Sequence, residues 1–366
     1  MNFDFSDDQK LLADQVARFL SEQCDMSVVR SVLDGDTAYA EPVWAGLADM
    51  GLIGTAIPES YGGTGAGYLE LCLVAQQLGA HLAPVPFAST VYLLTEALVH
   101  FGTEAQKAHW LPKIASGEVK GAFATTEDMA QFTPAQVQSR FSDGTLTGAK
   151  LMVTDGGVAD LFLVLAQGED GLNLYLVPRG PQVSSEVVAT VDPTRNAAAV
   201  RFDAASAEFL AGAADALPTL LDRAAVLYAF EQVGGAQSAL AMAVAYSQER
   251  YAFGRPIATF QSLKHMMADM YVAMKLAENN CYYAAWALAE NAPDLPLAAA
   301  TARVGATQAF QHCAKDNIQV HGGMGFTWEF DCHLYYRRSN YLALELGGLS
   351  EWEKRLVQTL PQAANL

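Results

Sequence analysis

Cysteine is scarce in this sequence, and no two cysteines are spaced for shared chemistry. The 366 residues hold five, Cys24, Cys72, Cys281, Cys313 and Cys332, with no Cys-x-x-Cys among them. Neither a zinc site nor a disulfide framework is indicated. Seven histidines are scattered without an HExxH or comparable pair, so a metal enzyme is not expected. Basic residues are also few: 22 Lys and Arg stand against 40 Asp and Glu, for a formal net charge of −18. That field repels polyanions and argues against a nucleic-acid partner. It serves solubility, and it equally suits a basic redox partner. No run of about 18 uncharged apolar residues occurs, so no membrane span is expected. The start, Met1-Asn2-Phe3-Asp4-Phe5, is acidic and lacks the basic segment that opens a signal peptide; a cytoplasmic protein is expected.

What is abundant is apolar material, 51% of residues, in a chain long enough for about two to three domains. Residues 1–118 read as mostly helical. Ser6-Asp7-Asp8-Gln9 has the form of a capping box, followed by Leu11, Leu12, Val16, Phe19 and Leu20 at helical spacing. Pro58-Glu59-Ser60-Tyr61-Gly62-Gly63 breaks the pattern, and a helix near Leu69 to Leu82 stops before Pro84 and Pro86. Between about 119 and 208 the texture is that of short strands: 137–141, 146–153, 161–165 and 174–177. Asp143-Gly144 supplies a tight hairpin between the first two. From Leu217 the helical period returns over roughly 218–251, 259–291 and 296–320, with a fourth segment from about Cys332 to near the end. The expected fold class is multidomain α+β. It comprises an N-terminal helical domain (1–118), a central small β-barrel (119–208) and a C-terminal four-helix bundle (209–366).

Three groups of residues carry possible chemistry. Glu249-Arg250-Tyr251-Ala252-Phe253-Gly254-Arg255-Pro256 ends one bundle helix, and Phe260-Gln261 opens the next. A guanidinium beside an aromatic ring suits a pyrophosphate-bearing ligand, although an Arg at a helix end also simply complements the dipole. Gln319-Val320-His321-Gly322-Gly323-Met324-Gly325-Phe326 closes the third helix. Its glycines admit a close ligand approach, and they equally form an ordinary helix stop. Phe123-Ala124-Thr125-Thr126-Glu127 and Lys150-Leu151-Met152-Val153-Thr154-Asp155 each end a strand with Thr. They offer hydroxyl and amide donors to a planar ring, or reflect only the β-propensity of Thr.

In order and spacing these pieces resemble the acyl-CoA dehydrogenase family across nearly the whole chain. Val233-Gly234-Gly235 through Phe253-Gly254 is similar to the family's bundle helix without a gap, and Gln261 follows eight residues beyond Phe253. Gln319 with Gly322-Gly323, then Phe326-Thr327-Trp328-Glu329, fits its glycine turn. Leu52-Ile53-Gly54 through Pro58-Glu59-Ser60-Tyr61-Gly62-Gly63 fits its amino-terminal end. The resemblance implies an FAD enzyme removing two hydrogens from the Cα–Cβ bond of an acyl-CoA thioester. Phe123, Thr125, Thr126, Met152 and Thr154 would line the isoalloxazine ring. Arg250, Phe253 and Gln261 would hold the pyrophosphate and adenine end of a neighbouring subunit's FAD, met by Gln319, Gly322 and Gly323. It further implies a homo- or hetero-tetramer, with an electron-transferring flavoprotein as acceptor.

The sequence departs from that family at two places. The family's base, a Glu after the glycine turn, falls on Leu346, and Glu345 lies one position earlier; Glu345 is the candidate base. In a loop that slip is easily absorbed, whereas in a helix it rotates the side chain by about 100°. Local pairing with Arg337 or Arg338 is the alternative role of Glu345. The other known base position falls on Ala224, with Asp222 and Glu231 displaced from it, and Asp155 reads as a polar loop residue. The family's glycine-serine loop is replaced by Glu127-Asp128-Met129-Ala130-Gln131-Phe132, and Met152 stands where a Trp is usual. Acids beside a pyrophosphate weaken its binding. Two readings follow: a working dehydrogenase using Glu345, or the catalytically silent chain of a hetero-oligomeric dehydrogenase for a bulky, steroid-like thioester. A non-redox CoA-thioester binding or scaffold protein on the same fold is a third.

Overall fold

The structure, a computed structural model, describes residues 5–128 and 136–363, so Met129 to Phe132 of the replaced loop lie outside the described residues. Two compact units interleave along the chain. One takes the residues up to Ser27, Tyr68–Ala83 and everything from Ala225; the other takes Val28–Gly67 and Pro84–Ala224.

The first unit is helical. Helix α1 (Asp7–Gln23) starts with the expected capping box: the Ser6 hydroxyl accepts from Gln9 N at 3.2 Å, and the Gln9 side chain accepts from Ser6 N at 2.9 Å. Gln9 also donates to Glu70 at 2.9 Å on α4 (Tyr68–Ala80). The long helix α7 (Ala213–Glu249) enters this unit at Ala225. It meets α4 backbone to backbone through glycines. A Cβ on Gly79 would lie 1.8 Å from the Glu231 carbonyl oxygen, and one on Gly234 1.9 Å from that of Gln76. A Cβ on Gly235 would strike the Phe310 ring at 2.3 Å. The Val233-Gly234-Gly235 run is therefore a helix-crossing device.

Helices α8 (Gln261–Ala289) and α9 (Leu295–His321) pack side by side. Buried alanines at 298, 299, 300, 302, 306, 309 and 314 of α9 keep its surface low. The expected fourth helix is not continuous. It forms α10 (Cys332–Leu342) and α11 (Leu349–Ala363), separated by a turn in which Leu346 and Gly347 take φ of 62° and 100°. No helix among the described residues is long and apolar enough to cross a membrane.

In the second unit α3 (Glu41–Asp49), α5 (Glu96–Phe101) and α6 (Glu104–Ala115) accompany a mixed sheet. Its strands are β1 (Gly121–Ala124), β2 (Arg140–Ser142), β3 (Thr145–Thr154), β4 (Leu161–Gly168), β5 (Gly171–Pro178), β6 (Val183–Val187), β7 (Ala197–Ser206) and β8 (Glu208–Gly212). The strand order is β6-β7-β3-β2-β4-β5-β8, with β1 parallel to β4. Asp143 (φ 50°) and Gly144 (φ 77°) make the expected tight turn between β2 and β3. Phe162, Val164, Val177, Val200 and Phe202 lie in the sheet's apolar core.

A fully buried π-helix, Ala88–Thr95, precedes α5. At its end Glu96 is buried and pairs with the buried Arg223 at 2.7 Å. Burial alone would push the Glu96 carboxyl up, but His100 and Arg223 together hold it below the ordinary carboxylate value.

Candidate cofactor and catalytic residues

On the sheet, the two Thr-bearing strand ends come together: Leu151 N donates to the Thr126 carbonyl at 2.8 Å. The β3–β7 register shifts between Lys150 and Val153. At this bulge Met152 takes φ 50° and is 38% exposed, while Lys150 and Val153 both face inward. Phe123, Thr125, Thr126 and Thr154 are half-buried beside it.

Sequence reasoning passed over Lys150. Its ammonium is fully buried and donates to Glu127 Oε1 at 2.6 Å, the Leu165 carbonyl at 2.5 Å and the Thr125 carbonyl at 3.3 Å. Glu127 therefore turns inward. Burial pushes its carboxyl up, but Lys150 and the backbone N–H groups of Ser139 and Gln138 outweigh this and hold it below the usual range. Its charge is neutralised locally, which corrects the expectation that it opposes a pyrophosphate. Asp155 lies in the turn after β3, where it is buried and accepts from the Ser89 hydroxyl at 2.6 Å.

In the helical unit the predicted residues gather at one end. The short strands β9 (Tyr251–Ala252) and β10 (Arg255–Pro256) form a hairpin whose turn residues, Phe253 and Gly254, have φ of 53° and 76°. Phe253 is 95% exposed. Gln261 opens α8 and lies 3.3 Å from His265 Nε2; Arg255 stacks its guanidinium 4.4 Å over Phe260. Arg250 directly follows α7, and four residues before it Tyr246 stacks on His321 at 4.0 Å. That stack joins the C-terminal end of α7 to the C-terminal end of α9, where Gln319, Gly322 and Gly323 stand exposed. A Cβ on Gly322 or Gly323 would meet nothing within 4 Å, so their backbone is open to an approaching group.

Glu345 sits in the turn between α10 and α11, not in a helix. The Tyr228 hydroxyl donates to its Oε2 at 3.2 Å. Arg303, buried in α9, holds the turn from beneath: it donates to the carbonyls of Leu342 and Glu345 (2.6 Å for the latter) and to Gln232 Oε1 at 2.7 Å. Its guanidinium lies 5.6 Å from the Tyr228 ring centre. Burial pulls Arg303 down to about 10, against the upward pull of Tyr228, Glu345 and Glu231, so it stays charged at neutral pH.

Arg337 lies over Trp328, and Arg338 stands 3.7 Å from Glu231 and donates to the Leu82 carbonyl. Ala224 and Asp222 are buried. Arg303 and Tyr228 were not singled out from sequence, although an arginine within an alanine-rich apolar helix was a visible signal. No cluster able to hold a metal occurs among the described residues.

Residues 6–118 match the acyl-CoA dehydrogenase N-terminal domain, and residues 211–359 the acyl-CoA dehydrogenase C-terminal domain. The chain belongs to the acyl-CoA dehydrogenase family. The acyl-CoA dehydrogenase IpdE2 of Mycobacterium tuberculosis is 32% identical over 351 residues, 96% of each chain. Butyryl-CoA dehydrogenase from Megasphaera elsdenii superposes with a TM-score of 0.91 at 26% identity, covering 98% of this chain and 100% of that one. A chain of the ChsE4-ChsE5 complex from Mycobacterium tuberculosis superposes with a TM-score of 0.90 at 28% identity, covering 99% of each.

Acyl-CoA dehydrogenases are FAD-dependent oxidoreductases, and the helix–sheet–helix order is theirs. The side chains present fit FAD. An exposed Phe held at positive φ, two glycines with open space above them and a bulge that turns Met152 outward are features that folding alone does not require.

Proposed function

We propose that this chain catalyses α,β-dehydrogenation of an acyl-CoA thioester, with Glu345 as the base that takes the α-proton. The observation that carries this reading is the built turn around Glu345. A buried Arg303 fixes its carbonyl, and the Tyr228 hydroxyl holds its carboxylate at Oε2. When bound, FAD supplies the acceptor for the hydride that leaves Cβ. Phe123, Thr125, Thr126, Met152 and Thr154 hold the flavin ring of this subunit. Arg250, Phe253, Gln261, Gln319, Gly322 and Gly323 serve the cofactor of a neighbour in a tetramer. The exposed Phe253 supports that sharing, since an apolar ring at the surface needs a cover. An electron-transferring flavoprotein re-oxidises the cofactor. The five buried free cysteines fit a reducing, cytoplasmic setting.

A second reading is favoured by Leu346 at the family's base position and by Met152 in place of Trp. Here the chain is the silent half of a hetero-oligomer and completes the FAD site of an active partner. The ChsE4-ChsE5 complex and a variant of the Tcur3481-Tcur3483 steroid acyl-CoA dehydrogenase, 29% identical to this chain, support a hetero-oligomer and a steroid-derived thioester.

The test is flavin absorbance of the purified chain, then anaerobic bleaching by a panel of acyl-CoAs. Stoichiometric FAD that bleaches, with bleaching slowed about 10²–10⁴-fold in Glu345→Gln, is expected for a positioned base. A colourless chain, or flavin that no thioester reduces, sinks the first reading in favour of the second.

A further inference from the structure

Lysine is rarely buried unless its ammonium is paired, and Lys150 is buried completely in the middle of a sheet. Apolar residues of similar volume fill such a position at less desolvation cost. The ammonium has three donors, and the structure offers three acceptors: Glu127 Oε1, the Leu165 carbonyl and the Thr125 carbonyl. The Glu127 carboxylate is divided in turn. Oε1 also takes Ser139 N at 3.0 Å, and Oε2 takes Gln138 N at 2.6 Å. One buried pair thus ties the end of β1, the middle of β4 and the segment entering β2.

The bulge makes this possible. In a regular strand residues 150 and 152 share a face and 153 lies on the other. The register shift instead turns Lys150 and Val153 inward and leaves Met152 outward at φ 50°. Next along the strand, Leu151 N closes onto the Thr126 carbonyl at 2.8 Å.

We propose that the Lys150–Glu127 pair is a positioning device for FAD. It holds the Thr125–Thr126 strand end and the Met152 bulge in one geometry and cancels the Glu127 charge, acting through these residues without touching the cofactor. The inference rests on the assignment of Thr125, Thr126 and Met152 to the flavin made above.

The full chain is stripped of FAD and titrated with FAD, following flavin fluorescence and the visible circular dichroism of the bound form. Wild type, Lys150→Met, Glu127→Gln and the double variant are compared. The double variant leaves no lone buried charge and so remains foldable where Lys150→Met is not. Glu96→Gln, which breaks a buried pair elsewhere in the same unit, controls for lost stability. Lys150→Met and the double variant are expected to weaken FAD binding tenfold or more and to alter the flavin dichroism. Glu96→Gln lowers the unfolding temperature with wild-type FAD affinity. Wild-type affinity and dichroism in the double variant overturn the inference, as does an equal loss of affinity in Glu96→Gln. A wild-type chain that takes up no FAD instead overturns the assignment on which it rests.

Discussion

Replacing Arg303 by Met removes the buried cation beneath the Glu345 turn, and the cost follows from what the guanidinium touches. Gln232 Oε1 keeps a donor, since the Thr307 hydroxyl reaches it at 3.2 Å. The carbonyls of Leu342 and Glu345 lose theirs. Two buried acceptors left unsatisfied cost roughly 1–3 kcal/mol each, and the stack on Tyr228 adds up to about 1–2. Met offsets part of this by relieving the desolvation of a buried cation. The net expectation is a loss of about 2–4 kcal/mol, read as a lower urea midpoint of the FAD-free chain. Arg303→Lys keeps the charge but not the fork, and loses about half as much. In single-turnover bleaching, both variants lower the rate more than they weaken thioester binding, because the turn that aims Glu345 loosens. An Arg303→Met chain within about 0.5 kcal/mol of wild type would refute the reasoning, since the two carbonyls would then have other donors.

Gly79→Ala and Gly234→Ala each drive a Cβ into backbone carbonyls that cannot swing away, and lose at least about 2 kcal/mol in chemical unfolding. Gly323→Ala meets open space and leaves stability within about 0.5 kcal/mol, while FAD uptake by the oligomer falls. For Glu96, the folded carboxyl lies below its ordinary 4.5, so the unfolded chain binds the proton more tightly. Its stabilising effect is complete above about that pH and lost as pH falls through the folded value. The midpoint of wild type therefore drops more steeply below pH 4.5 than that of Glu96→Gln, and parallel curves would remove Glu96 from the acid response. Adding Leu346→Glu to Glu345→Gln leaves bleaching lost, because a residue at φ 62° aims its side chain differently from Glu345. Recovered bleaching would move the base to position 346.

The parts of the fold visible in sequence are those whose causes are local. Ser6 and Gln9 cap a helix three residues apart, and Asp143-Gly144 turns a hairpin within four. A second capping box, Thr103 with Gln106, was equally visible and passed over. The hidden parts depend on distant residues. Leu344-Glu345-Leu346 reads as helix by composition. It turns under Arg303, some forty positions earlier, whose cation replaces the hydrogen bonds that a helix would supply. Glu127 looks like a surface acid until Lys150 arrives from another strand. The π-helix at 88–95 is buried on every side, so no amphipathic period marks it. The proposed cofactor residues rest on the resemblance, since a Phe or a Gly-Gly turn carries little chemistry by itself.

The backbone also weighs on the choice between an active and a silent chain. A non-glycine residue held at positive φ costs about 1–3 kcal/mol and persists where the surroundings impose it. Three of the large apolar residues in that state are Met152, Phe253 and Leu346. The first two belong to proposed cofactor positions that both readings need, so their strain does not discriminate. Leu346 is different, because its turn carries Glu345, the proposed base, and none of the proposed cofactor positions. A chain relieved of proton abstraction has no need to keep a Leu at φ 62° over a buried arginine, when a continued helix from Cys332 would satisfy the same carbonyls without a desolvated cation. The retained turn, with Arg303 beneath and Tyr228 on the carboxylate, favours the proposal that Glu345 is the base, which the bleaching experiment tests.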